Sequence, residues 1–178
     1  MKTLLLTFLL AVIGVVADTR ADEPPISVSI AIPKRYGERR IPHLDRTSHF
    51  HVIVTNTSDK PQRIWQEWCS SGYYGLTFEF TDERGKKGVA KKKVIDLVRD
   101  NAEWQTLEPH EFLIFDVYFG NSDIWEGFPI PEQGEQPVTM KAVFEFKPDD
   151  ASARCGVWNG RAVSKAEKFV VYSKQETK

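Results

Sequence analysis

Two histidines lie two residues apart in a segment whose alternating pattern predicts a β-strand. His49 and His51 would then point from the same face, the spacing by which one strand offers two ligands to Zn²⁺ or Cu²⁺. A third ligand would have to come from His43, His110 or a carboxylate, and nothing in the sequence places one nearby. We therefore expect both histidines to face solvent opposite the core, and we assign no metal ligand and no cofactor.

Nucleophilic and acid–base chemistry have weaker support in the residue pattern. Ser70 and Ser71 would need a histidine and an acid brought to them by the fold, and no Gly-x-Ser-x-Gly segment occurs. A carboxylate pair for glycoside hydrolysis would have to come from one acidic loop, whose members are Asp123, Glu126, Glu132 and Glu135. We assign no catalytic residue; a small hydrolase or metal-dependent enzyme remains an alternative.

The chain has two cysteines, Cys69 and Cys155. If the protein is exported, one disulfide between them is the simplest interpretation. Two buried thiols and a metal-binding pair are the alternatives, although neither cysteine has a second cysteine or a histidine at ligand spacing. A bridge across about 86 residues would stabilise the fold by roughly 4–5 kcal/mol in the chain-entropy model. It would also bring together the aromatic residues that flank the two cysteines.

The tryptophans are the most suggestive candidates for binding. Trp65, Trp68 and Tyr73 surround the first cysteine and Trp158 follows the second, so we expect these rings to pack together as a secondary core. Trp104 and Trp125 belong to no apolar stripe and neighbour no cysteine. We therefore predict that Trp104 and Trp125 are exposed rings that contact a protein or a glycan.

Charge argues against nucleic acid as a partner. The 178-residue chain has 24 basic and 25 acidic residues, a formal net charge of −1, so it has no global field that would attract a polyanion. One basic run, residues 86–93, contains no interleaved aromatic residues and is typical of a solvated sheet edge.

The elements that must position these residues are β-strands. Period-two alternation recurs from residue 27 onwards, and one turn of helical spacing between Ala90 and Asn101 predicts a short helix. Seven to nine short strands predict an all-β chain that folds as one antiparallel β-sandwich. The strand of residues 111–119 is apolar on both faces, which favours a central position. Five rings should be largely buried: Phe78, Phe80, Phe115, Phe144 and Phe169.

The N-terminal residues are typical of a secretory signal peptide. Met1-Lys2-Thr3 is a short positive start, an apolar run extends from Leu4 to Val16, and cleavage could follow Ala17 or Ala21. The run is too short to span a bilayer, which needs about 20 apolar residues. We therefore expect residues 1–21 to be a signal peptide, residues 22–178 to be the β-sandwich domain, and the mature protein to be periplasmic or extracellular.

Three segments carry a resemblance to known proteins: the strand and polar turn at residues 50–56, the approach to a hydrophobic strand at 107–111, and residues 157–161 before the last strands. They resemble small secreted immunoglobulin-like domains, such as uncharacterised exported β-sandwich proteins of bacteria, and less closely the BsuPI type of proteinase-inhibitor domain. The resemblance implies an immunoglobulin-like sandwich and identifies no functional residue. The cysteines depart from the immunoglobulin pattern, because they are far apart and Trp68 directly precedes the first.

These observations together favour an exported, non-catalytic binding or structural module that contacts a protein or a glycan, with no nucleic acid and no membrane span. A proteinase inhibitor is a further alternative.

The signal peptide leads to a direct prediction. N-terminal sequencing of the mature protein should begin at Asp18 or Asp22, the residues that follow the two cleavage sites. Protein recovered from the cytoplasm with Met1 intact would contradict export.

Overall fold

A computed structural model of the chain describes residues 24–33, 42–95, 102–120 and 122–173. The predicted signal peptide, residues 1–21, lies outside the described residues. Strands make up 53% and helices 7% of the described residues, which confirms the all-β prediction.

The described part of the chain contains twelve strands and two short helices. In chain order they are β1 (Ile26–Ala31), β2 (His43–Leu44), β3 (His49–Asn56), β4 (Gln62–Trp65), α1 (Ser70–Tyr73), β5 (Leu76–Asp82), β6 (Lys87–Lys92), β7 (Trp104–Leu107), β8 (Phe112–Tyr118), β9 (Trp125–Glu126), β10 (Gly134–Phe146), α2 (Asp150–Cys155), β11 (Gly160–Val163) and β12 (Glu167–Ser173).

The strands form two main sheets and one small ribbon. The first sheet has the order β1-β3-β8, and the second has the order β2-β12-β10-β5-β6-β9, with β11 also paired to β10. Strands β4 and β7 form a separate antiparallel ribbon. All strand pairs are antiparallel except β2 with β12.

Aromatic rings join the two main sheets face to face. Phe50 of β3 meets Phe78 of β5 with ring centroids 5.5 Å apart, and Phe115 of β8 meets Phe144 of β10 at 5.7 Å. These contacts are the interior of a sandwich, because each ring stands on the inward side of its strand. Of the five predicted core rings, four are buried and Phe80 is half-buried against the same cluster.

Several predictions about individual elements are wrong or incomplete. The number of described strands exceeds seven to nine because the alternation does not reveal several short strands, including the two-residue strands β2 and β9 and the four-residue strands β7 and β11. Strand β8 lies at the end of its sheet order instead of in the centre. Phe112 and Ile114 are exposed because they lie on the outer face of this sheet, opposite the buried Phe115 and Val117. Residues 90–92, at the start of the predicted short helix, belong to strand β6, and residues 96–101 of that segment lie outside the described residues.

Both observed helices are short, and sequence periodicity missed them. Helix α2 begins with a capping box, in which the Asp149 carboxylate accepts from Ser152 N (2.6 Å) and Ser152 Oγ accepts from Asp149 N (3.0 Å). It ends at Gly156, which has a left-handed backbone (φ 62°). Local capping therefore forms this helix in six residues that have too few turns to show an apolar stripe.

Asp45 anchors the turn between β2 and β3. Its Oδ1 accepts from Thr47 N (2.9 Å), Thr47 Oγ1 (2.7 Å) and Ser48 Oγ (3.0 Å), and its Oδ2 accepts from Tyr172 Oη of β12 (3.2 Å). Burial by itself raises the pKa of Asp45, but these hydrogen bonds together outweigh burial and lower the pKa from 3.8 to about 2.

This lowered pKa predicts that Asp45 makes stability depend on pH. Because the folded pKa lies below the ordinary value of 3.8, the ionised carboxylate stabilises the fold above about pH 4, and the stabilisation is lost as the pH falls towards 2. Asp45→Asn should lower the free energy of unfolding by about 2 kcal/mol at pH 7, and this difference should shrink towards zero near pH 2.

Urea unfolding of both proteins across this pH range measures the difference. Asp59→Asn is the matched control, because Asp59 is exposed and its side chain forms no hydrogen bond among the described residues. A difference between Asp45→Asn and the unsubstituted protein that stays constant from pH 7 to pH 2 would contradict the role assigned to the carboxylate.

Candidate functional site

Trp104 lies at the start of β7, directly opposite Trp65 at the end of β4. The two indole rings meet edge to face, with centroids 6.5 Å apart and an interplanar angle of 72°. The Arg63 guanidinium carbon lies 5.7 Å from the centre of the Trp104 ring, a cation–π distance. Trp65 is 3% exposed and Trp104 is 40% exposed, so the buried Trp65 ring supports the exposed Trp104 ring.

Trp68 is the second large exposed ring near this ribbon. It lies in the turn that leads from β4 to α1 and is 50% exposed. Backbone hydrogen bonds hold the turn: Gln66 N donates to Glu103 O beside β7 (2.9 Å), and Cys69 N donates to Gln66 O (3.2 Å). Trp68 and Trp104 therefore belong to neighbouring segments at the same end of the ribbon.

Trp65 also lines a groove of about 300 Å³. Tyr74, which follows α1 and is 42% exposed, is its second aromatic wall. The remaining lining comes from α1 and the turn after it, from β5, and from the end of β10 and the segment after it: Ser71, Gly75, Thr77, Glu145, Phe146, Lys147 and Asp149. We call the exposed Trp68 and Trp104, the supporting Trp65 and Arg63, and Tyr74 the aromatic surface.

Both carboxylates of the groove are already engaged by neighbouring groups. The hydrogen bond from the Ser152 backbone, together with the Ser152 hydroxyl, lowers the pKa of Asp149. Glu145 lies 3.5 Å from Arg161 Nε, and Arg161 also donates to Glu79 (2.6 Å). These contacts orient both carboxylates as hydrogen-bond acceptors, and the hydrogen bonds to Asp149 favour its ionised form.

Trp125 was expected to be exposed, and this expectation is wrong. Trp125 is 6% exposed, because β9 pairs with β6 through Lys92 and folds the loop back over the sandwich. The Trp125 ring packs on Phe78 (5.3 Å) and Phe128 (5.6 Å). Of the two predicted binding rings, only Trp104 is on the surface.

The predicted disulfide is also wrong, since Cys69 and Cys155 are both free thiols. Cys69 is buried, and its Sγ donates to Gln66 O (3.1 Å) and Glu103 O (3.5 Å). Arg63 Nη1 donates to Cys155 O (2.8 Å), and Trp158 N donates to Arg63 O (2.8 Å). One hydrogen bond donated by Arg63 and one accepted by it thus join β4 to the segment from Cys155 to Trp158 without a covalent link.

The secondary aromatic core forms without the bridge. Trp65 and Tyr73 are buried as expected, and Trp158 is half-buried and stacks on Phe144 with ring centroids 6.0 Å apart. Burial, with Tyr74 and Glu67 nearby, raises the pKa of Tyr73. Trp68 is the exception, because the turn that contains it directs the ring to solvent.

The two histidines of β3 are occupied by neighbours on the outer face of the first sheet. His49 stacks on Tyr118 at 4.5 Å, and His51 Nδ1 lies 2.5 Å from Asp116 Oδ1. Within the described ranges, no group of three or more histidine, cysteine, aspartate or glutamate side chains could hold a metal ion.

Sequence reasoning missed the groove. Thr77 and Lys147 have ordinary surface positions in their strand patterns, and Tyr74 fits the period-two apolar pattern that continues through Leu76 and Phe78. The one available signal was the Asp149–Ser152 capping pair, which predicts a helix start and therefore a turn of the chain after β10.

In the part of the chain that is described, neither helix has the length and apolar character needed to cross a membrane. The chain matches no known protein-family model, and no curated protein has significant sequence similarity to it. Function is therefore inferred from the residues of the chain itself.

The opposite environments of Trp125 and Trp68 predict opposite effects of the same substitution. Trp125→Ala removes a ring from the core and should lower the free energy of unfolding by about 3–5 kcal/mol. Trp68→Ala, the matched control, removes an exposed ring and should change it by about 0.5 kcal/mol or less. Denaturant unfolding measures both values, and similar losses would show that Trp125 is not a core residue.

Proposed function

We propose that this protein is an exported, non-catalytic binding module with an immunoglobulin-like sandwich, and that it contacts a protein or a glycan through the aromatic surface. The observation that carries the proposal is the exposure of Trp68 and Trp104 beside a groove with a third exposed ring, Tyr74. Tryptophan and tyrosine are the residues on which binding energy most often concentrates.

The rings are held in place before any partner arrives. The Trp104 ring packs edge to face with the buried Trp65 ring and lies beneath the Arg63 guanidinium. Arg63 in turn donates a hydrogen bond to Cys155 O. A ring that is already ordered loses little conformational entropy when it binds, so more of its contact energy remains as affinity. This preorganisation supports a recognition role for Trp104.

The groove chemistry supports binding over hydrolysis. The Asp149 carboxylate is fixed by the α2 capping box, and its pKa is lowered by hydrogen bonds from Ser152. A general acid needs a pKa raised towards neutrality, whereas the pKa of Asp149 is lowered. Asp149 is therefore unsuited to act as a general acid. A proteinase inhibitor and a small hydrolase remain the alternatives.

The immunoglobulin-like part of the proposal rests on topology. The chain passes repeatedly between the sheet of β1, β3 and β8 and the sheet of β5, β10 and β12, as expected for a Greek-key sandwich. Export rests on the positive start and apolar run of residues 1–21.

A binding assay with paired substitutions tests the aromatic surface. The immobilised mature protein is incubated with envelope material of the native host, separated into a protein fraction and a protein-free glycan fraction. We expect one fraction to be retained. Trp68→Ala with Trp104→Ala should weaken retention by about tenfold or more, a loss of at least 1.4 kcal/mol, while the melting temperature falls by only a few degrees.

Val89→Ala is the control, because Val89 is an exposed apolar side chain on β6, outside the aromatic surface. It should leave retention unchanged. Failure of the unsubstituted protein to retain either fraction, or equal retention by the double variant, would overturn the proposed function. Turnover of a peptide or glycoside in the retained fraction would favour the hydrolase alternative.

A further inference from the structure

We infer that the groove between Trp65 and Tyr74 is a subsite for an uncharged saccharide unit. This inference rests on the proposed function, because it names the ligand class of the aromatic surface. It depends on an indole wall held by packing, on a supported tyrosine wall, and on a mixed set of polar groups along one groove.

The first observation is the wall formed by Trp65. Trp65 lines the groove and is almost fully buried, and its ring packs edge to face with Trp104. Packing therefore holds this indole in place as one wall of the groove.

The second observation is the support of Tyr74. Its ring meets Tyr73 edge to face, with centroids 5.0 Å apart and an interplanar angle of 89°, and its hydroxyl accepts from Ile95 N (3.4 Å). Tyr74 is therefore anchored at the ring and at the hydroxyl while it remains 42% exposed. A supported aromatic face suits the flat C–H face of a pyranose ring, which is apolar while the rim of the same ring is polar.

The third observation is the mixture of donors and acceptors. The side chains of Ser71, Thr77 and Lys147 line the groove and form no hydrogen bond to any described residue. The carboxylates of Glu145 and Asp149 add acceptors beside them. Sugar hydroxyls both donate and accept, so a saccharide can satisfy every member of this set.

The charges of the groove select an uncharged ligand. Glu145 and Asp149 would repel an anionic group, whereas Lys147 would repel a cationic one, and all three side chains line one groove of about 300 Å³. That volume is at the lower end of ligand sites, which start at about 300 Å³. It accommodates one ring of a saccharide chain, and the open groove lets the rest of the chain continue outside.

An extended peptide fits this groove less well. Adding a peptide as a strand requires free backbone N–H and C=O groups at a sheet edge. In the groove wall, Glu145 N already donates to Gly75 O (2.9 Å), and β10 pairs with β11 as far as Phe146. The backbone here is occupied, so recognition depends on side chains.

Titration calorimetry with defined oligosaccharides tests the inference. The probes are maltohexaose, cellohexaose and chitohexaose, and we expect at least one of them to bind the unsubstituted protein. Tyr74→Ala should weaken that binding about tenfold, whereas Tyr74→Phe retains the ring and should restore most of it. Thr77→Val, which keeps the side-chain shape and removes the hydroxyl, should weaken binding a few-fold.

Controls separate loss of binding from loss of fold. Circular dichroism and melting of each variant report the fold, and Val89→Ala should bind like the unsubstituted protein. Cosedimentation with starch, cellulose and chitin distinguishes a polymer from a free oligosaccharide as the source of the saccharide. Absence of binding to all three oligosaccharides, or equal binding by a folded Tyr74→Ala variant, would overturn the inference.

The two proposals fail in different ways. If no oligosaccharide binds while Trp68→Ala with Trp104→Ala abolishes retention of the envelope protein fraction, the saccharide inference is wrong and the binding-module proposal stands. If Tyr74→Ala abolishes oligosaccharide binding while the tryptophan double variant retains envelope material normally, the saccharide subsite stands and the tryptophans are not the contact surface.

Discussion

The thirteen-residue strand β10 is the element on which the rest of the structure depends. It pairs with β5 along one edge and with β12 and then β11 along the other, so its backbone is satisfied on both sides. Its inward residues are buried from Val138 to Phe146, and Phe144 makes the contact with Phe115 that joins the two sheets. Because β10 ends beside Trp158 and the start of α2, its register also sets the position of the groove.

A series of ring contacts leads from this core to the surface. Phe144 and Phe146 both meet Trp158. Phe146 lines the groove together with the buried Trp65, and the Trp65 ring meets the exposed Trp104 ring in an edge-to-face contact. Core packing and surface presentation are therefore physically continuous. The exposed Trp104 ring is therefore held in position by the densely packed rings of the interior.

Lys92 stabilises the turn between β4 and α1. It is buried, its Nζ lies 2.5 Å from Glu67 Oε1, and it lies 4.5 Å from the centre of the Tyr73 ring. A buried ammonium is tolerated only when a charge partner and polarisable neighbours replace its water. Glu67 directly precedes Trp68. This ion pair therefore links strand β6 to the turn that contains Trp68.

The sequence by itself determined the strand composition, most of the core and the hairpin turn at residues 82–85, because period-two alternation and a glycine with positive φ act over a few residues. Only the tertiary structure decided which apolar rings are covered. Trp125 became a core residue through the pairing of β9 with β6, whereas Phe112 stays exposed on the outer face of the first sheet. The same holds for the thiols and for the groove, whose lining residues extend from Trp65 to Asp149, a span of 84 positions along the chain. Local patterns contain no information on which distant segments meet, because that depends on the whole arrangement of the sheets.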